Sequence, residues 1–260
     1  MKTFMVAPYC TFLMVTALLF TGCKKNDQPH GPAHCQIYKV KFYQSFNRMD
    51  SAVFTYNKKG DPIRITRGLN STGAPDALFW YDKRGRLTDY IGIYAGGDNY
   101  EFRHRYTYDY KDRIVIDTMH VFGFLSSYPG SISSVTTYKY DAQDRIIRMD
   151  RRMPDYPKAG YSYLYTYNQL GNIEKITTGG GYLSATPVYD DKINMNNLHP
   201  VWQFLSMDYS RNNPFGSTGR DEQTGYDQYG LPIDIDKGWG SEGEFVNIFY
   251  SRMMVEYQCR

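Results

Sequence analysis

From about residue 36 onward, apolar and polar residues alternate with a period of two, interrupted at intervals by short polar stretches. That period marks a β-strand with one buried face. Tyr161, Tyr163, Tyr165 and Tyr167 alternate with Ser162, Leu164 and Thr166, so four tyrosines share a face. Tyr38, Val40 and Phe42 are placed likewise at the start. At the end, Phe245, Phe249, Met253, Val255 and Tyr257 share a face with Cys259.

Six of the interruptions follow one plan: an aromatic stretch, Tyr-Asp or Tyr-Asn, a tight turn, then Ile or Leu. They are Tyr56-Asn57-Lys58-Lys59-Gly60-Asp61-Pro62-Ile63, Tyr81-Asp82-Lys83-Arg84-Gly85-Arg86-Leu87 and Tyr108-Asp109-Tyr110-Lys111-Asp112-Arg113-Ile114. Then come Tyr140-Asp141-Ala142-Gln143-Asp144-Arg145-Ile146, Tyr167-Asn168-Gln169-Leu170-Gly171-Asn172-Ile173 and Tyr226-Asp227-Gln228-Tyr229-Gly230-Leu231-Pro232-Ile233. The steps between tyrosines are 25, 27, 32, 27 and 59, the last about double, as if one copy had been lost or remodelled. Each copy predicts a β-hairpin. Asp or Asn opens the turn by accepting a hydrogen bond from backbone two residues on. Gly60, Gly85, Gly171 and Gly230 supply the left-handed residue of a type I turn with a G1 bulge. Asp112 and Asp144 take that place in two copies, where Asp tolerates positive φ better than most residues.

One stretch breaks the plan, Tyr189 to Phe215. Pro200 stands at a plausible first helical position, ahead of Val201-Trp202-Gln203-Phe204-Leu205. A short helix or plug over 199–206 is expected, with Trp202, Phe204 and Leu205 covering a sheet end. The fold class predicted is all-β, an antiparallel meander of hairpins with roughly a dozen strands or more, a width that curls or splits. A curved half-barrel, or a barrel closed by a link between the chain ends, follows.

The motif Tyr-Asp-x-x-Gly-Arg-Leu/Ile resembles the YD repeat of Rhs-type proteins, and the chain from residue 36 to the end resembles Bacteroidetes lipoproteins built from such hairpins. In large Rhs proteins these repeats wind into hollow shells around a cargo; this chain is too short to enclose one. The resemblance also implies, loosely, carbohydrate binding.

The first residues are of another kind. Lys2 precedes the apolar core Phe12-Leu13-Met14-Val15-Thr16-Ala17-Leu18-Leu19-Phe20, and Thr21-Gly22 stand just before Cys23. That is the layout of a cleaved signal over 1–22, with an uncleaved anchor as the alternative. Phe20-Thr21-Gly22-Cys23 resembles a lipobox, although Leu is usual where Phe20 stands. It implies a lipidated Cys23, a tether over 23–35, a β domain over 36–260, and lipid attachment to the outer membrane. Lys24-Lys25-Asn26-Asp27 resembles the tether of surface-exposed lipoproteins. Cys10 leaves with the signal, so Cys35 and Cys259 remain. In an oxidising compartment they are expected to pair, the alternative being two buried thiols.

The 30 basic and 27 acidic side chains nearly cancel, and without a basic block nucleic acid is not an expected partner. Chemistry-bearing motifs are scarce. His30, His34, His104, His120 and His199 have no ligand spacing, and no metal or cofactor is expected. Asp234-Ile235-Asp236-Lys237-Gly238 fails the EF-hand pattern and reads as a strand end. Gly179-Gly180-Gly181 opens no helix and reads as a loop rather than a phosphate cradle. No G-x-S-x-G frame occurs, and Asp190-Asp191 reads as a solvated pair, so no catalytic residue is assigned and no enzyme is expected. Lys58, Lys59, Lys83, Arg84, Arg86, Lys111, Arg113 and Arg145 would line the tight-turn rim with Asp61, Asp82, Asp109, Asp112, Asp141 and Asp144, and are expected to pair with them.

Long loops over 66–77, 119–134, 177–188 and 236–244 lie opposite that rim and hold Tyr128, Tyr182 and Trp239. The leading expectation is a binding module for glycan or a protein partner through this edge. A structural surface protein without a small ligand competes with it, and an enzyme or apolar-ligand carrier comes third.

Overall fold

The computed structural model describes residues 35–44, 48–214, 223–236, 243–246 and 248–259. The leader, Cys23, the tether up to residue 34 and Trp239 lie outside them, while Cys35, expected as the tether's last residue, opens the first strand. The first strands are β1 (Cys35–Gln44), β2 (Arg48–Tyr56), β3 (Pro62–Arg67), β4 (Asp76–Tyr81), β5 (Leu87–Ile93) and β6 (Asn99–Tyr108). There follow β7 (Ile114–Phe124), β8 (Ser131–Tyr140), β9 (Ile146–Arg152), β10 (Tyr161–Tyr167), β11 (Ile173–Thr178) and β12 (Leu183–Ala185). After a helix, α1 (Pro200–Leu205), come β13 (Gln223–Tyr226), β14 (Pro232–Asp236), β15 (Gly243–Phe245), β16 (Ile248–Tyr250) and β17 (Arg252–Cys259).

The six tight turns join β2 to β3, β4 to β5, β6 to β7, β8 to β9, β10 to β11, and β13 to β14. In all six the residue three after the Asp or Asn has positive φ: 93° at Gly60, 81° at Gly85, 59° at Asp112, 59° at Asp144, 86° at Gly171 and 76° at Gly230. Each hairpin slips register at its tyrosine, as a G1 bulge requires. The opening side chain does more than the sequence suggests. Asp82 Oδ1 accepts from Arg84 N at 2.8 Å and also from Arg86 N at 2.9 Å, and the other five copies repeat both bonds.

Fifteen strands form one antiparallel sheet in the order β12 to β1 in sequence reverse, then β17, β14 and β13; β15 and β16 pair as a separate hairpin. The sheet is open. Cys35 and Cys259 face each other across β1 and β17 and form a disulfide spanning 224 positions of sequence. The bridge lies inside the sheet, because the sixth hairpin, β13–β14, adds on beyond β17. It leaves the edges β12 and β13 unjoined, so a barrel closed by the cysteines is not formed.

Curvature follows from α1. Trp202 meets Phe54 of β2 at 5.6 Å and Phe79 of β4 at 5.7 Å, while Phe204 meets Tyr106 of β6 and Tyr138 of β8, each at 5.3 Å. From β2 to β8 a flat sheet spans about 29 Å at ~4.8 Å per strand, too far for one helical turn to touch both ends. The sheet therefore wraps the helix. Trp202 and Phe204 are buried as expected, whereas Leu205 is only half-buried. Phe245, Val246 and Ile248 of the β15–β16 hairpin fill the same hollow.

Two strand phases differ from the simple alternation. A bulge between Ile37 and Lys39 puts Ile37, Val40 and Phe42 inside and leaves Tyr38 39% exposed. The final stretch is not one strand either: Phe245 belongs to β15, and only Met253 onward keeps the predicted phase on β17.

Candidate functional site

At the tight-turn rim, each letter of the repeat has a partner in the next copy. The tyrosine hydroxyls reach back one hairpin. Tyr81 donates to Pro62 O, Tyr108 to Leu87 O, Tyr140 to Ile114 O and Tyr167 to Ile146 O, at 2.6–3.0 Å. Tyr56 and Tyr257 make the same bond to Ile37 O and Pro232 O. Burial pushes these phenols well above their ordinary pKa, so they remain donors. The arginines reach forward. Arg86 is held by its own Asp82, lies 4.7 Å over the Tyr108 ring and donates to Asp112 Oδ1 at 2.9 Å. Arg113 repeats this with Asp109, Tyr140 and Asp144. Arg145 is held by Asp141 and covers Tyr167 at 4.0 Å. Asp112 and Asp144 therefore do two jobs, the left-handed turn and the inter-repeat ion pair. Among the described residues the rim arginines pair internally, as expected.

The array ends on the segment that breaks the repeat. Ile173 N donates to Ser210 Oγ, which also meets the Tyr189 hydroxyl at 3.0 Å, and Asn172 exchanges two bonds with Asn212. The Tyr226 hydroxyl, with no earlier hairpin to reach, donates to Asp190. His199 caps α1 by accepting from Val201 N, with Asp61 at 3.6 Å on its other nitrogen. Burial lowers the imidazole pKa, with Asp61 opposing. Between α1 and the turns runs a groove of about 350 Å³ lined by Arg86, Arg113, Tyr108, Tyr140, Phe204 and Tyr209. Its charged groups already satisfy one another.

The opposite edge is less committed. The expected loops are shorter than the sequence suggests, because strands run into them: β3 and β4 leave 68–75, and β7 and β8 leave only 125–130. Over 177–188, β12 itself occupies the middle. Tyr128 is 54% exposed and Tyr182 78% exposed. They sit on the β7–β8 and β11–β12 connections, so they are not neighbours. The connection between them, β9–β10, presents Tyr156, 71% exposed, which the sequence reading missed. Its signal was available: Pro154 and Pro157 mark a loop with one large aromatic between them. Phe122 and Phe124 add exposed rings beside Tyr128. Trp239 lies outside the described residues and is not placed.

No group of three His, Cys, Asp or Glu side chains that could hold a metal occurs among the described residues. His104 Nδ1 lies 2.8 Å from Asp117, Asp234 pairs with Arg252, and Asp191 pairs with Lys192. Gly181 closes a turn, φ 83°, between β11 and β12.

No protein-family model and no curated protein sequence matches the chain. Among solved structures, a porin-like protein from Bacteroides uniformis is similar over 89% of this chain and 98% of its own, at 11% identity and TM-score 0.47. The TcdB2-TccC3-Cdc42 crystal structure matches over 77% of this chain at 15% identity and TM-score 0.34. The Photorhabdus luminescens Tc holotoxin pore matches over 72%, at 14% identity and TM-score 0.22. This chain spans about a tenth of the length of the toxin chains it matches, 11% and 12%.

Proposed function

We propose that this protein is a lipid-anchored envelope module that binds an extended glycan along its long-loop edge. The observation that carries the reading is the series Tyr128, Tyr156 and Tyr182, one exposed ring on each of three successive hairpin connections. Two strands separate each tip from the next, so the tips repeat about every 10 Å. A regular row of aromatic faces suits a chain of repeating units, since each ring offers apolar area with few torsions to freeze and a polar handle. The rigid rim opposite fixes the tips in register, so little order is lost on binding.

A glycan array on the purified protein tests this. Binding is expected, and Tyr182→Ala, Tyr156→Ala and Trp239→Ala are each expected to weaken it several-fold, as truncation of an anchor costs more than about 1 kcal/mol. An array without ligands, or binding untouched by all three changes, leaves the structural reading. Cys23→Ser tests the anchor: the variant is expected in the soluble fraction, and its retention in membranes would mean an uncleaved helix.

A further inference from the structure

The hollow of the sheet holds a second cavity, away from the exposed aromatic tips. It measures about 240 Å³ and lies between the β3–β6 strands and the β15–β16 hairpin. Ile65, Ala77, Phe102 and Val246 are among its apolar walls, and Arg67 and Glu101 stand with them. The cavity extends to Gly73 of the β3–β4 connection, which is exposed, so it communicates with solvent. Arg67 follows Ile65 by the period of two, so both side chains enter the same face. Asp50 Oδ2 accepts from Arg67 Nε at 3.1 Å and from Nη2 at 2.9 Å. That side-on pair offsets the charge and leaves Nη1 without an acceptor among the described residues. Nη1 is not sealed in either, since the enclosed unpartnered atoms of the described residues are the Tyr106 hydroxyl, His120 Nδ1 and Asn213 Nδ2. The end-on edge of the guanidinium therefore borders the cavity. Glu101 is half-buried, and its Oε2 accepts from Gly73 N at 2.9 Å and from the Tyr94 hydroxyl at 2.8 Å. These bonds fix the carboxylate and leave Oε1 open. No cation stands within ion-pair reach of Glu101 among the described residues.

We propose that this cavity binds an apolar α-amino acid, either free or as the first residue of a peptide. With Arg67 offset by Asp50, the cavity keeps the single negative charge of Glu101, which favours an ammonium and disfavours a simple anion. The α-ammonium pairs with Glu101 Oε1, a charge-assisted bond. The carboxylate or first carbonyl oxygen accepts from Arg67 Nη1, and the side chain packs among Ile65, Ala77, Phe102 and Val246. The size agrees. The cavity is smaller than the roughly 300–1,000 Å³ that drug-sized ligands occupy. A round space of that volume is about 8 Å across, less than two strand spacings, so one small molecule reaches both charged walls. The site does not depend on the tips binding a glycan.

Calorimetric titration of the purified full-length protein tests the proposal, with L-leucine, the tripeptide leucyl-glycyl-glycine, N-acetyl-L-leucine and glycine as probes. Saturable binding of leucine or of the tripeptide is expected, and the tighter of the two tells a free amino acid from a peptide end. N-acetyl-L-leucine lacks the ammonium and glycine lacks the side chain; both are expected to bind more weakly by roughly tenfold or more. Glu101→Gln keeps an acceptor for Gly73 and Tyr94 and removes the charge. It is expected to lose on the order of tenfold in affinity, about 1.4 kcal/mol. Ala77→Leu fills the apolar end and is expected to abolish binding; where that variant fails to fold, Glu101→Gln decides alone. Arg67 is left in place, because breaking its buried pair with Asp50 would strand a charge. Absence of saturable binding by both leucine and the tripeptide, equal binding of N-acetyl-L-leucine or glycine, or full affinity in Glu101→Gln each overturns the site.

Discussion

Asp112 and Asp144 show how one residue can answer two demands. Both occupy a left-handed position that favours glycine, and both receive the arginine of the preceding copy. Gly171 holds the same position one copy later, after Arg145, without a carboxylate to offer. A Cβ there meets nothing within 4 Å, so only backbone strain opposes substitution. Gly171→Ala is therefore expected to destabilise by about 1 kcal/mol. Gly171→Asp is expected to lose clearly less, because Asp tolerates the conformation and Arg145 stands ready. Urea unfolding midpoints of the two variants check this; equal losses would mean the inter-repeat ion pair contributes nothing. The turn residues were legible in the sequence because turn chemistry is local. The second job of Asp112 was not, because its partners Arg84 and Arg86 belong to another hairpin and meet it only through the sheet.

At the scale of elements, α1 is the piece whose seating organises the hollow. It has six residues, too few to be stable alone, and it persists because Trp202 and Phe204 are clasped by strands on either side. Its cap, His199, brings in pH. Burial holds the folded imidazole below its ordinary 6.5, so the unfolded chain binds the proton more readily. Stability from this group is present above pH 6.5 and is lost as pH falls through 6.5 toward the folded value. His199→Asn keeps a capping acceptor and removes the titration. Between pH 7 and 5 the wild type is expected to lose more stability than the variant in thermal unfolding; parallel curves would show that His199 is not the source. The Pro200 start of the helix was readable from sequence. Its docking against β2, β4, β6 and β8 was not, since no local pattern says which strands curl around it.

For the whole molecule, the disulfide and the strand order matter together. Cys35 and Cys259 join the first and last strands, which are neighbours in the middle of the sheet. Crosslinking a loop of 224 positions stabilises through the unfolded chain by about 5 kcal/mol at most in the entropy model. The double change Cys35→Ser, Cys259→Ser is expected to lower the unfolding free energy by several kcal/mol, and the midpoint with it, while β1 and β17 still pair. An unchanged midpoint in the variant would show that strand pairing alone clasps the ends.

Sequence by itself determined the strand pairs that flank the six turns, the turns themselves, the register slip at each tyrosine and the short helix, because period-two alternation and turn chemistry act within a few residues. It also brought Cys35 and Cys259 into consideration as a pair. Only the tertiary structure decided that the sheet stays open, since that depends on the sixth hairpin adding beyond β17. The same holds for the tyrosine hydroxyls that lock each hairpin to the last, for the bulge that turns Tyr38 outward, and for Tyr156 joining Tyr128 and Tyr182 along one edge. All of these are contacts across strands, and which residues stand opposite one another is set by register and curvature, which no short stretch of chain contains.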